Sequence, residues 1–262
     1  MEKVSIVIPV YNKIDITLRC IEHIRRMNDT ASFELVIADN GSSDATQDTL
    51  TKDAGIVYIR NQGNLGIARA CNEAAGLAHH GIFCFMHNDV YVWQQDWVSR
   101  LAGFIMGTRD AGVVGLYGAK VLRKDGSFRG KTIVHAKKAS PVMKRSMEKV
   151  AVVDGLLLAM KREAFTKVGG FNEDFAIHYY DKDISMRSLS RGMTNYILNV
   201  PFEHAAATTR KGIREDDKVR EEARMKFIGI WRDHLPADAS IWQEKVSRAL
   251  SVLGIRKKRV SI

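Results

Sequence analysis

The chain has 262 residues, 45% of them hydrophobic and 27% charged, with 40 Lys and Arg against 30 Asp and Glu. Those proportions exclude a disordered chain, a collagen-like fibre and a coiled coil, and the length is enough for a core without disulfide or metal staples. No uninterrupted apolar run approaches the ~18 residues of a membrane span, and MEKVSIVIPVYNK lacks the basic start, long apolar stretch and cleavage site of a signal peptide.

Val4 to Val10 is a nearly continuous β-branched run that ends at Tyr11-Asn12, and it predicts a buried parallel strand. Ile14, Leu18, Ile21 and Ile24 then recur at helical spacing to about Met27. A second buried run, Phe33 to Ala38, stops at Asp39-Asn40-Gly41-Ser42-Ser43-Asp44, where Asp44 with Gln47 predicts a helix start. Ile56 to Ile59 predicts a third strand, the turn from Asn61 to Gly66 follows, and an Ala-rich helix runs to about Ala78. Ile82 to Met86 predicts a fourth strand that ends at His87-Asn88-Asp89. This alternation predicts an α/β fold with a mostly parallel sheet covered on both faces.

The second half is less regular. Val113 to Val121 has strand character, and the basic segment 123–149 predicts a mobile surface excursion. Val152 to Met160 is apolar, Lys161 to Val168 predicts a short helix closed by Gly169-Gly170, and Asp181 to Arg191 predicts another that ends at Gly192. Residues 214–234 and 238–253 predict a C-terminal helical extension. The three cysteines, Cys20, Cys71 and Cys84, form no CxxC and lie among apolar or small residues, which predicts buried thiols in a reducing cytosol.

The net charge of +10 is unevenly spread: −3 over 1–119, +8 over 120–149, −1 over 150–204 and +6 over 205–262. Basic patches suit polyanions, anionic membrane surfaces or phosphorylated substrates. For RKKR at 256–259 a solvated basic tail fits as well. No recognition motif accompanies the charge, so nucleic acid is not expected as a partner.

Ligands of an open parallel sheet bind outside the carboxyl ends of its strands. Three polar clusters fall there: Pro9 to Asn12, Asp39 to Asp44, and His87 to Asp89. The chain has no GxGxxG after the first strand, no GxxxxGK[ST] and no GxSxG, which excludes the usual dinucleotide, P-loop and serine-hydrolase sites.

The ordered set VSIVIPVYN (4–12), ELVIADNGSSDAT (34–46), NQGNLGIARACN (61–72), FMHNDV (85–90), GLLLAMKREAFTKVGGFNEDF (155–175), YDKDISMR (180–187) and His204 resembles the family 2 glycosyltransferases over about residues 3–210. The resemblance implies an inverting, nucleotide-sugar-dependent enzyme with the A-type Rossmann-like fold. It implies a catalytic domain at 1–212, with a nucleotide-binding half at 1–90 and an acceptor half at 91–212; the helical extension expected at 213–262 lies outside the resemblance.

The resemblance also implies the site residues. Asp39 would accept a hydrogen bond from the nucleotide base, of uracil or thymine type, in a pocket lined by Pro9, Val10, Tyr11 and Asn12. Asn64 would be among the donor contacts, or else lock its loop. Arg69 would reach the diphosphate or the base, or else form a surface salt bridge. His87-Asn88-Asp89 stands where the family has its metal-binding DxD, with His87 replacing the first carboxylate. Asn88 and Asp89 would meet the donor, and Asp89 with His204 would hold a divalent cation, Mn²⁺ or Mg²⁺, an imidazole favouring Mn²⁺. Asp181 would be the general base, with Tyr180 at the place of the usual Glu. Asp154, Gly155, Tyr180 and Asp183 would contact the acceptor, Asp183 alternatively capping its helix or pairing with Arg187. Arg210 and Lys211 would close over the diphosphate.

The expected partners are a nucleotide sugar and a glycan or lipid-linked acceptor of cell-surface polysaccharide synthesis. The expected location is cytoplasmic, or peripheral on the inner face of the cell membrane. Lys131, Lys137, Lys138, Lys144 and Arg145 would face a lipid diphosphate or an anionic leaflet. Ile241, Trp242, Val246, Ala249, Leu250 and Leu253 fit an interfacial amphipathic helix, and equally a helix packed on the domain or on a second subunit of a homodimer. Two other classes share this fold: a sugar-phosphate nucleotidyltransferase, which Pro9-Val10-Tyr11-Asn12 argues against because a Gly-rich loop belongs there, and a non-catalytic sugar- or nucleotide-binding protein.

Overall fold

The computed structural model describes residues 2–129, 133–137, 140–141, 143, 145–205 and 214–240. Its first half alternates as expected: β1 (Val4–Val10), α1 (Ile14–Met27), β2 (Phe33–Asp39), α2 (Thr46–Leu50), β3 (Ile56–Arg60), α3 (Ile67–Leu77) and β4 (Ile82–Met86). The turn into α1 places Asn12 and Lys13 in left-handed backbone. Asp44 serves there as a cap, its carboxylate accepting from the Ile14 N–H at 3.1 Å and from Thr46 at the start of α2. It thereby satisfies amides that a helix start leaves orphaned.

The second half opens with β5 (Val90–Val92), α4 (Trp97–Gly107), β6 (Ala111–Gly115), β7 (Tyr117–Ala119) and β8 (Val121–Leu122). It continues through β9 (Ile133–Lys137), β10 (Ser140–Pro141), β11 (Met147–Val150), β12 (Val152–Val153) and β13 (Leu157–Lys161). Then come α5 (Arg162–Val168), α6 (Tyr180–Ser190), β14 (Thr194–Leu198), β15 (Phe202–His204), α7 (Arg214–Trp231) and β16 (Ala237–Asp238).

Eight strands form the central sheet in the order β11-β14-β6-β13-β4-β1-β2-β3. Six run the same way, while β13 and β11 oppose their neighbours. The register sets Val10 opposite Asp39 and Asp39 opposite Arg60, so three carboxyl ends share one rim. Alternation along the strands divides the core. Val7, Val36 and Phe85 face α3, α5 and α6, whereas Ile6, Ile8 and Leu35 face α1 and α4. All three cysteines are free and buried, and burial raises each thiol, Cys20 to about 12.

Several expectations about the second half are corrected. The segment 123–149 is not a plain surface excursion: β9 joins β7 and β10 in a smaller sheet, and β11 forms an edge of the central one through β14. These strands are too short to show a period of their own, and they form because an edge is there to pair with. Val113 to Val121 is broken into three strands, and Val152 to Met160 is split by a turn at Asp154-Gly155. Asp238 lies in a strand paired to β8, not in a helix. The remainder of that predicted helix, with its amphipathic face and RKKR, lies outside the described residues, as do Lys131, Lys138, Lys144, Arg210 and Lys211. The helix predicted over 214–234 is present as α7 with a 3₁₀ turn at Arg232–His234. No described helix is long and apolar enough to cross a membrane.

Candidate active site

Asp39 ends β2 with a wholly buried carboxylate. Oδ1 accepts from the Ser42 N–H at 2.8 Å, and Oδ2 accepts from the Tyr58 hydroxyl at 2.5 Å and from Arg60 Nη1 at 2.8 Å. Burial, and then the carboxylate itself, hold the Tyr58 phenol up to about 12. Asn12 stitches this turn to the end of β1: its N–H donates to Ser42 Oγ, and its Oδ1 accepts from Ser43 N at 2.8 Å. Pro9 and Val10 lie under the same rim, and Tyr11 is half exposed beside it.

Asn64 is a loop lock, its Oδ1 accepting from Gly66 N at 3.1 Å. Gly66 has φ +84°, and a Cβ there would lie 2.7 Å from Ala176 Cβ, so the loop requires glycine. Arg69 forms the surface salt bridge, to Glu73 at 3.0 Å. Asn88 turns into the fold, where its Nδ2 donates to Thr17 Oγ1 at 2.9 Å.

Asp89 and His204 are brought together by an antiparallel ribbon. β15 pairs with β5, setting His204 opposite Val90, and the Ala205 N–H donates to Asp89 O. Asp89 Oδ1 is buried with no donor aligned to it, and His204 Nε2 lies 3.1 Å away. Burial alone would push the Asp89 carboxyl up, but His204 and His87 hold it below the usual carboxylate range. His87 completes the group: the ligand-capable atoms of His87, Asp89 and His204 all lie within 4.8 Å of one another. An orphaned carboxylate oxygen beside two imidazoles is a donor set that fits a divalent transition metal.

A cavity of about 220 Å³ opens next to this cluster, lined by His87, Asp154, Gly155, Tyr180, Asp181 and Lys182 among others. Asp181 stands on the first turn of α6. Its Oδ2 accepts from the Gly155 N–H at 3.0 Å and its Oδ1 from its neighbour's N–H at 2.8 Å. Asp154 folds back on Leu156 N, and its carboxyl is pushed up to about 6, by burial first and by the Asp181 charge second. The Tyr180 hydroxyl lies 3.0 Å from His87 Nε2 and donates to Gly155 O at 3.4 Å. A Cβ at Gly155 would sit 2.1 Å from that hydroxyl oxygen. Burial lowers the Lys182 ammonium, which donates to Gly126 O at 3.0 Å and lies over the Tyr179 ring.

Asp183 does not line the cavity. It is buried on the other side of α6, accepting from Arg187 Nε at 2.7 Å and Trp231 Nε1 at 2.9 Å. Reasoning from sequence missed His87 as a third metal-ligand candidate, and Arg60, Lys182 and Arg220 as neighbours of the site. Only His87 carried a signal, an imidazole two residues before Asp89.

A Sinorhizobium fredii protein, uncharacterized y4gI, is 26% identical over 215 residues, 73% of this chain and 23% of its own length. The uncharacterized glycosyltransferase YfnE of Bacillus subtilis is 31% identical over 91 residues, 34% of this chain and 23% of its own. A PGL/p-HBAD biosynthesis glycosyltransferase of Mycobacterium bovis is 29% identical over 123 residues, 45% of this chain and 47% of its own. The chain thus spans from 23% to 47% of these relatives' lengths. Among solved structures, GalNAc-T7 with UDP, GalNAc and Mn²⁺ superposes with a TM-score of 0.64 at 13% identity, over 97% of this chain and 58% of that one. The mannosyltransferase PcManGT of Pyrobaculum calidifontis, with GDP-Man and Mn²⁺, gives 0.60 at 16% identity, over 98% and 81%. These likenesses show the A-type glycosyltransferase fold. The family model for glycosyl transferase family 2 matches residues 5–169, well over half of the chain, and on that match the chain belongs to glycosyl transferase family 2.

Proposed function

We propose that the protein is an inverting, metal-dependent glycosyltransferase. It moves a sugar from a nucleoside-diphosphate sugar, of UDP or dTDP type, to a hydroxyl of a glycan or lipid-linked acceptor in cell-surface polysaccharide synthesis. The observation that carries this reading is the meeting of Asp181 with Asp154, Gly155, Tyr180 and His87 in one cavity, beside the unsatisfied Asp89 oxygen.

Asp89, His204 and His87 would hold the cation, Mn²⁺ before Mg²⁺ on account of the imidazoles. When bound it would neutralise charge on the diphosphate. Asp181 is the general base. As the acceptor oxygen bonds to the anomeric carbon, its proton passes to Asp181, and the opposite bond to the diphosphate breaks with the electron pair leaving on the nucleoside diphosphate. The Gly155 amide and the turn of α6 hold the carboxylate for that step. At the other end, the base would meet the rim of β1 and β2, where Tyr58 and Arg60 hold Asp39 Oδ2 while Oδ1, bonded to the Ser42 N–H, keeps an acceptor site for a base N–H. The +8 segment at 120–149 supports an anionic partner, a lipid diphosphate or an anionic leaflet at the inner face of the membrane.

The test is a thermal-shift panel of nucleoside diphosphates and nucleotide sugars, each with Mn²⁺, Mg²⁺ or EDTA. A ligand that binds the native state raises Tm by mass action. The expected result is stabilisation by one nucleotide that requires a divalent cation. No stabilisation by any of them would overturn the donor site.

A further inference from the structure

We infer that a groove between α1 and the β5–β15 ribbon is a second binding site, built for the neutral part of a saccharide. It has a volume of about 350 Å³ and lies apart from the catalytic cavity, a size within the range of small-ligand sites. α1 contributes Arg19, Glu22, His23 and Arg26, which fall on one helical face. The ribbon contributes Tyr91 and Glu203, which face each other across its register, and Trp93 follows directly.

The groove is constructed around His23, which is only 4% exposed. Its Nε2 lies 2.9 Å from the Val92 carbonyl and its Nδ1 3.0 Å from Arg26 Nη2. A carbonyl accepts and a guanidinium donates, so these partners assign the neutral ring with its proton on Nε2. Burial, first among the causes, also lowers its pKa. The ring meets Tyr91 and Trp93 edge-on, at 5.3 and 4.7 Å between centroids, and so props two aromatic side chains at the surface. Trp93 remains 41% exposed.

Four charged side chains surround that aromatic floor. Arg19 and Glu22 stand three apart on the helix and Glu22 and Arg26 four apart, spacings at which opposite charges readily pair. Among the described residues, however, none of Arg19, Glu22, Arg26 and Glu203 makes an ion pair. Two carboxylates and two guanidinium groups therefore border the groove with hydrogen-bonding capacity to spare. This lining selects the ligand by chemistry. An apolar ligand would desolvate four charges without return. A polyanion would meet Glu22 and Glu203, and a polycation Arg19 and Arg26. A neutral sugar satisfies both signs, because each hydroxyl can donate to a carboxylate and accept from a guanidinium, while its C–H face lies on Trp93 or Tyr91.

The location adds a role. Alternation puts Glu203 and Tyr91 on one face of the ribbon and His204 with Val90 on the other. The groove thus backs onto the strand pair that carries the His87–Asp89–His204 group. A glycan held there would tether a chain near the site of transfer. That role rests on the proposed transferase reading, whereas the binding itself does not.

The experiment uses the full chain in EDTA without nucleotide, titrated with maltotetraose, chitotetraose, mannotetraose and an anionic heparin tetrasaccharide. Binding is followed by saturation-transfer NMR and by tryptophan fluorescence. The expected result is millimolar binding of a neutral tetrasaccharide, weakened about tenfold or more by Trp93→Ala and by Glu203→Gln, each with wild-type Tm, and unchanged by Asp181→Asn. Binding of no neutral tetrasaccharide, of the anionic one alone, or with equal affinity in Trp93→Ala and Glu203→Gln would overturn the site. So would loss of binding in Asp181→Asn, which would assign the sugar to the catalytic cavity. None of these outcomes alters the nucleotide-dependent stabilisation that tests the transferase reading.

Discussion

Asp154 and Asp181 border one cavity, and the protein keeps them differently. The Asp154 carboxyl is pushed up to about 6 from an ordinary 3.8, by burial first and the Asp181 charge second. Between those values the native state holds a proton that the unfolded chain has lost. The contribution of this group to stability is therefore fullest below about pH 4 and falls as the pH rises through about 6. Asp154→Asn cannot ionise and should abolish that loss, worth up to about 3 kcal/mol. In the absence of divalent metal, wild-type Tm should fall relative to the variant between those pH values, and parallel curves would refute the assignment. Asp181→Asn keeps an acceptor for the Gly155 amide and so keeps its turn. Its transfer rate should drop about 10²–10⁴-fold with donor affinity nearly unchanged, and single-turnover kinetics with wild-type rates would exclude it as the base. Asp89→Ala removes the orphaned carboxylate oxygen and should abolish Mn²⁺ binding measured by electron paramagnetic resonance. Wild-type affinity in that variant would move the metal elsewhere.

At the scale of the element, α6 sorts its two acidic residues by helical geometry. Asp181 and Asp183 are two positions apart, which puts them on nearly opposite sides of a 3.6-residue helix. Asp181 faces the cavity and Asp183 faces α7, held by Trp231 of that helix and by Arg187 one turn along α6. Trp231→Phe leaves a buried carboxylate oxygen without its donor and should cost about 1–3 kcal/mol, read from the urea midpoint at constant slope. No change in midpoint would show that Trp231 contributes packing alone. The motif YDKDISMR was legible as a helix start with Asp181 as the residue carrying chemistry and Arg187 as a partner for Asp183, but not that Trp231 would meet Asp183, because that depends on what packs against the far face. The ribbon of β5 and β15 makes the same point. Its strands are three residues each, too short to show alternation, yet their pairing places His204 beside Asp89.

At the scale of the molecule, residues 214–240 of the extension are part of the structure around the site. Phe227 of α7 packs against Phe175 and Tyr179, at 6.3 and 5.2 Å between ring centroids, and β16 pairs with β8. A chain ended at residue 212 would expose those rings and strand Asp183 without the indole. We predict that it melts at lower temperature and is cleaved faster by trypsin within 170–190 than the full chain. Equal resistance would make 213–262 a separate unit.

The sequence by itself determined the four parallel strands, the polar turns that close them, the helices that follow, and hence the rim where ligands gather. Those are local signals: continuous β-branched runs, caps and glycines that act within a few residues. Tertiary structure alone decided that Arg60 and Tyr58 close over Asp39, that Asn88 turns inward to Thr17, and that His87 joins Asp89 and His204. The physical reason is one of range. A residue's type states what it can bond, but strand register and helix facing choose its partner, and both are set by residues distant in the chain.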